Sequence, residues 1–143
     1  MTLACRNGRS DSLVLEGRVV APAQGIDDTL RITVTDGVIS AIESGGTGTA
    51  GAVLTGNDEN NTIVGGAGND VIDGYYGTDI YKGGLGDDTY YVNNPTQTII
   101  ETGGNDTVIV DRSYVLAAGL ENLTMTGSAA TGNLTGNAAV NTL

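Results

Sequence analysis

Residues 56–91 read GNDENNTIV-GGAGNDVID-GYYGTDIYK-GGLGDDTYY, four nine-residue copies in unbroken register. Glycine opens each copy, at Gly56, Gly65, Gly74 and Gly83, and returns at position four as Gly68, Gly77 and Gly86. Position six holds Asn61, Asp70, Asp79 and Asp88, and position eight holds Ile63, Ile72, Tyr81 and Tyr90. Fixed-period self-similarity of this kind is the mark of a repeat solenoid. Each unit buries its apolar side chain against the next coil rather than in one thick core.

The period also sets the geometry. Taking positions one to six as a turn and seven to nine as a strand, alternation along the strand points the eighth residue inward. Each unit is then half a coil, and eighteen residues close one circuit. Turn 65–70 is expected beside turn 83–88, and turn 74–79 beside turn 56–61. The fold expected is all-β: a right-handed parallel β-roll of nonapeptide repeats, preceded by a small antiparallel β meander.

Composition agrees. The chain has 143 residues, 23 glycines and no Phe or Trp, so Ile, Val, Leu and Tyr must supply a core in thin layers. A net charge of −11 argues against nucleic acid, whose binders neutralise phosphates with Lys and Arg. It argues equally against an anionic membrane surface, and no apolar run reaches the length of a membrane span. Cys5 stands alone and has no intrachain disulfide partner. Residues 1–12 lack the apolar stretch of a cleaved signal peptide, so export by the N-terminal route is not expected.

Outside the repeats, Leu30, Ile32 and Val34 alternate with polar residues ahead of Asp36-Gly37, a hairpin signal. The expected organisation is a meander over 1–44, a Gly/Thr linker over 45–53, and the roll over 54–91. A β segment is expected over 92–126, and a degenerate second array over 127–143. The register is expected to break at Val92-Asn93-Asn94-Pro95, and residues 98–101 and 107–111 to pair as strands through Gly103-Gly104-Asn105-Asp106. A further strand is expected over 120–126. In the last array GNAAVNTL lacks aspartate at position six, so a calcium-free ladder of asparagines is the better reading there.

The repeats carry a chemistry as well as a shape. Glycines admit positive φ and bring carbonyls together, and aspartates add charge. Six to eight oxygens from carbonyls and carboxylates are what Ca2+ takes. Asp70 and Asp88 with the carbonyls around Gly66, Gly68, Gly84 and Gly86 are expected to form the best site. A weaker site is expected at Gly74, Gly77 and Asp79, because its stacking partner offers Glu59 and Asn61. Folding and ion binding should then be one event. Asp106 is expected to matter less than Asp70 or Asp88.

Residues 54–143 resemble the RTX, or hemolysin-type calcium-binding, family of bacterial secreted proteins. GGLGDDTYYV looks like that family's closing repeat, and GGNDTVIVDRSYVLAAGLENLTMTG like the segment that follows it. The resemblance implies a parallel β-roll, a millimolar calcium response and type I secretion of an unfolded chain. Its aspartates map onto Asp70, Asp79 and Asp88, while Asn61 departs from the pattern. A second, weaker similarity links residues 13–43 to the N-terminal strands of amidohydrolases. The chain has no histidine, so that family's His-x-His metal ligands are absent.

Without histidine or a G-x-S-x-G elbow, no common catalytic constellation is present, and no enzyme is expected. The function expected is a calcium-binding structural or secretion module, with calcium and the rest of a larger exoprotein as partners. Alternatives are an adhesin whose sheet face binds a surface, or a rearranged fragment without activity. The outward Thr row that an adhesin would favour is poor, since Val71 and Ile80 interrupt Thr62 and Thr89.

Overall fold

The computed structural model describes residues 12–21, 26–35, 38–44, 51–127 and 132–143. Asp36-Gly37, Cys5 and most of the Gly/Thr stretch lie outside the described residues. Every regular element among those described is a strand. The chain opens with β1 (Ser12–Ala21), β2 (Ile26–Thr35) and β3 (Val38–Ser44). The roll then runs through β4 (Val53–Asn57), β5 (Thr62–Ala67), β6 (Val71–Tyr75), β7 (Ile80–Leu85), β8 (Thr89–Val92), β9 (Thr98–Ile100) and β10 (Thr107–Val110). Short strands β11 (Tyr114–Val115), β12 (Asn122–Met125) and β13 (Leu134–Thr135) complete it.

The pairing is that of a two-sheet parallel solenoid. Odd strands β5, β7 and β9 line one sheet, and even strands β4, β6, β8 and β10 the other, followed by β12. Ile63 pairs with Tyr81 and Ile72 with Tyr90, an offset of eighteen residues in both sheets. Two nonapeptides therefore close one coil. The antiparallel meander β1-β2-β3 joins the first sheet, because β3 pairs with β5 in parallel at Ala41 and Thr62.

Position eight faces inward as its alternation requires. Ile63, Ile72, Tyr81 and Tyr90 are wholly buried, joined by Leu54, Val108, Leu120 and Leu123. Tyr81 and Tyr90 stack with ring centroids 6.2 Å apart and planes 8° from parallel. Such contacts add about 0.5–1.5 kcal/mol beyond area burial. The strands are longer than three residues: β5 and β7 run from position seven through position three of the next copy. Parallel pairing persists there, with Gly66 opposite Gly84 and Ala67 opposite Leu85, up to the glycine at position four.

The register does not break at Asn94-Pro95. Ile80 pairs with Thr98 and Tyr81 with Ile99, again eighteen apart. Pro95 falls at the tip of a turn, where no ladder donor is needed. Nor do residues 98–101 and 107–111 pair with each other. β9 lies on β7 in one sheet, while β10 lies between β8 and β12 in the other. Gly103 and Gly104 thus belong to a solenoid turn, not a hairpin. The strand expected over 120–126 is present as β12. The circuit length changes only after β10: Val108 pairs with Leu123, fifteen residues on, and Tyr114 with Leu134, twenty on.

Ile72 is fully buried and Ile80 is 39 % exposed. Ile72→Ala should therefore lower unfolding stability by about 2–5 kcal/mol. Ile80→Ala should stay within about 1 kcal/mol. Denaturant melts of both variants in saturating calcium test this difference.

Candidate metal site

Six polar side chains line the inside of the turns. Asn61, Asp70, Asp79, Asp88, Gln97 and Asp106 are all buried, and all hold position six of a nonapeptide frame. Isolated buried carboxylates are costly, so each must be held by directed hydrogen bonds. The eighteen-residue offset supplies them. Asp70 Oδ1 accepts the Ala52 N–H at 2.7 Å, Asp88 Oδ1 that of Asp70 at 2.8 Å, and Asp106 Oδ1 that of Asp88 at 2.8 Å. The Asp106 N–H donates to Glu121 Oε2 at 2.9 Å. One edge of the roll is thus a continuous ladder of carboxylates.

Position one explains why glycine opens each copy. At Gly65 a Cβ would overlap Asp70 Oδ2, because the position-six side chain folds back over its own turn. Position two is a different constraint. Gly84 has φ 111°, and a Cβ there would overlap the Gly66 carbonyl of the neighbouring turn. The expected site glycines divide accordingly: Gly66, Gly68, Gly77, Gly84 and Gly86 have positive φ, and Gly74 does not. Tyr75 takes the left-handed conformation at position two with φ 65°, the one non-glycine to do so among the described residues.

The opposite edge is chemically different. Asp79 Oδ1 accepts the Asn61 N–H at 2.8 Å, and Gln97 Nε2 donates to Asp79 Oδ2 at 2.9 Å. Asn61 closes its own turn by accepting the Asn57 N–H at 2.8 Å, and Asn141 does the same for Asn137 at 2.8 Å. Amides, which donate as well as accept, satisfy this edge and the last turn from within the protein. The structure therefore stacks Asp70 and Asp88 on one edge of the roll, and sets Asp79 on the other between Asn61 and Gln97.

A second ladder runs outside the first. The Asp87 N–H donates to Asn69 Oδ1 at 2.9 Å, the Asn105 N–H to Asp87 Oδ1 at 2.9 Å, and the Thr78 N–H to Asn60 Oδ1 at 2.8 Å. These bonds clamp position five of one turn to position five of the next. Sequence reasoning missed both this ladder and the place of Asp106 in the inner one. The signal was available: Gln97 and Asp106 continue the position-six series at nine-residue steps after Asp88.

Burial first, and then the neighbouring charges of Asp70, Glu101 and Asp106, pushes the Asp88 carboxyl up to about 7, against an opposing hydrogen bond from the Asp70 N–H. Asp106 is raised to about 6, again by burial first, opposed by the Asp88 N–H and aided by Glu101 and Glu121. Asp79 is raised by burial, with the Asn61 and Gln97 hydrogen bonds opposing. Buried, mutually repelling carboxylates with main-chain carbonyls alongside form an all-oxygen donor set that suits a hard divalent cation.

A parallel two-sheet solenoid with carboxylates stacked along its turns is a β-roll of metal-binding repeats. Residues 55–90 match the family model of the RTX calcium-binding nonapeptide repeat, in four copies, and these repeats bind calcium. The match does not extend over residues 13–43. Neither a curated protein nor a solved structure matches the chain significantly.

The raised carboxyls fix the sign of a pH effect. A group whose pKa is higher folded than unfolded stabilises fully below its unfolded value and loses that stabilisation as pH rises through the folded one. For Asp88 and Asp106 the window is about pH 4 to 7. At limiting calcium the chain should melt at a lower temperature at pH 8 than at pH 5. Saturating calcium should shrink that gap, and a calorimetric melt at both pH values measures it. Asp88→Ala should weaken calcium binding more than Asp106→Ala does, since Asp88 stands between Asp70 and Asp106 and borders both seams; calcium titration of the two variants gives the comparison.

Proposed function

We propose that the chain is a calcium-triggered β-roll serving as a structural or secretion module of an extracellular bacterial protein. The observation that carries this reading is the ladder Asp70-Asp88-Asp106, three buried carboxylates stacked on successive coils along one edge of the roll. Before the ion binds, like charges 18 residues apart in sequence are forced onto adjacent turns. Afterwards a cation shared between turns offsets that repulsion. An ion that binds only the folded state stabilises it by about 2.7 kcal/mol at a hundredfold excess over its Kd.

Within the roll we assign the principal site to Asp70 and Asp88 with the carbonyls around Gly66, Gly68, Gly84 and Gly86. A weaker site falls to Gly74, Gly77 and Asp79, where the Gln97 amide competes for the same carboxylate. Residues 54–91 act as the calcium-binding unit, 92–126 extend it, and 127–143 form an amide-closed end. Residues 1–44 supply the meander, connected through 45–53. A chain that folds only in millimolar calcium stays threadable where calcium is scarce and compacts where it is abundant, which is the use that type I export makes of such repeats. No helix among the described residues is long and apolar enough to cross a membrane.

The test is a calcium titration of the purified chain followed by far-UV circular dichroism, with magnesium as control. The expected outcome is a cooperative gain of β signal in the millimolar range with calcium and little response to magnesium. A full β spectrum in chelator, unmoved by calcium, would sink the proposal.

A further inference from the structure

We propose that Asp88, Glu101 and Asp106 hold an additional calcium ion at the seam between turn 83–88, the last of the matched repeats, and turn 101–106 beyond it. The inference rests on the calcium-binding reading of the roll and extends it to a turn beyond the four matched copies. One carboxylate oxygen from each of the three residues lies within 4.8 Å of the others.

Glu101 is the unusual member. It occupies position one, where the repeats have glycine; its Oε1 accepts the Thr102 and Gly103 N–H groups of its own turn, while its Oε2 reaches back to the preceding coil. Gly83 makes room for it: the place a Cβ would take at residue 83 is approached by the Tyr90 hydroxyl, Asp88 Oδ2 and Glu101 Oε2. The Tyr90 hydroxyl donates to Glu101 Oε2 and lies 3.4 Å from Asp88 Oδ2. Three oxygens thus converge on one point from two turns.

Asp106 supplies the independent sign of a ligand. It is wholly buried, its Oδ1 accepts the Asp88 N–H, and its Oδ2 has no hydrogen-bond partner. A buried carboxylate oxygen left unsatisfied is costly and calls for a cation or a donor. No basic side chain among the described residues answers it: the ion pair found there is Arg112–Asp111, on the surface. The Gly86 carbonyl comes close to Gly104 at the same seam, adding a neutral oxygen beside Asp106 Oδ1. Carboxylates and a carbonyl without nitrogen or sulfur select calcium over softer metals.

The other edge is the internal control. At the equivalent seam Gln97 donates to Asp79 Oδ2 at 2.9 Å, so an amide takes the place of an ion. Where the sequence has glutamate and aspartate instead of an amide, the seam needs a cation. Glu101 is only half-buried, which leaves the site a route to solvent.

Isothermal titration of the full chain with calcium chloride, after chelation and desalting, tests the site in wild type, Glu101→Gln, Asp106→Asn and Asp70→Asn. Each of these amide substitutions keeps a hydrogen-bond acceptor of the same size and removes the charge. Glu101→Gln should lose one ion, or bind its weakest ion roughly tenfold less tightly or worse. Thermal melts add a signature that simple structural damage does not give: Glu101→Gln should melt no lower than wild type at limiting calcium and gain less in melting temperature as calcium rises to saturation. Terbium emission sensitised by tyrosine should fall in Glu101→Gln and in Tyr90→Phe. If Asp70→Asn loses an ion while Glu101→Gln and Asp106→Asn bind like wild type, this site is overturned and the principal one stands. If wild type binds no calcium, both readings fall together.

Discussion

Everything in this structure depends on a buried carboxylate accepting the backbone N–H of the residue eighteen positions earlier. The bond from the Asp70 N–H to Asp88 Oδ1, repeated from the Asp88 N–H to Asp106 Oδ1, fixes how far one coil lies from the next. A carboxylate in that place needs room over its own turn, which is why Gly65 and Gly83 carry no side chain. It also needs its remaining charge answered, because burial disfavours the ionised form. Strand register, glycine placement and ion dependence are therefore three consequences of one contact.

The two edges of the roll show how little the backbone decides about chemistry. Both use the same turn path and the same eighteen-residue offset, yet one presents Asp70, Asp88 and Asp106 and the other Asn61, Asp79 and Gln97. Amides satisfy their neighbours with their own donors. Carboxylates can only accept, so a ladder of them accumulates charge that protons or metal must neutralise. An ion-loaded edge and an ion-independent edge can thus share one fold, and the choice lies in single oxygen-for-nitrogen exchanges.

Past the last matched copy the coil continues with Gly104, at position four, as the one motif glycine left in the next two nine-residue frames. Gln97 and Asp106 still fill the inner polar position, while Val108 and partly buried Ile99 fill the apolar one. Pro95 was a misleading signal. A proline at a turn tip costs the ladder nothing, and a glutamate at position one is accommodated with one oxygen on its own turn and the other reaching the neighbouring coil. The inward alternation of polar six and apolar eight, not the glycines, carries the solenoid forward.

The nonapeptide period by itself determined the parallel roll, the half-coil per repeat, the inward Ile63, Ile72, Tyr81 and Tyr90, and the stacking of turn 65–70 on turn 83–88. These are local: spacing fixes which side of a strand a residue takes and how many residues complete a circuit. The antiparallel character of residues 12–44 was equally legible from alternation and a turn signal. Only the tertiary structure decided that β3 adds to β5, that β9 and β10 lie in opposite sheets, and that Asp106 and Glu101 meet Asp88. Those contacts join residues whose own sequence context lacks the motif. What brings them together is the sheet pairing of neighbouring coils, which a linear pattern registers only while every coil repeats it.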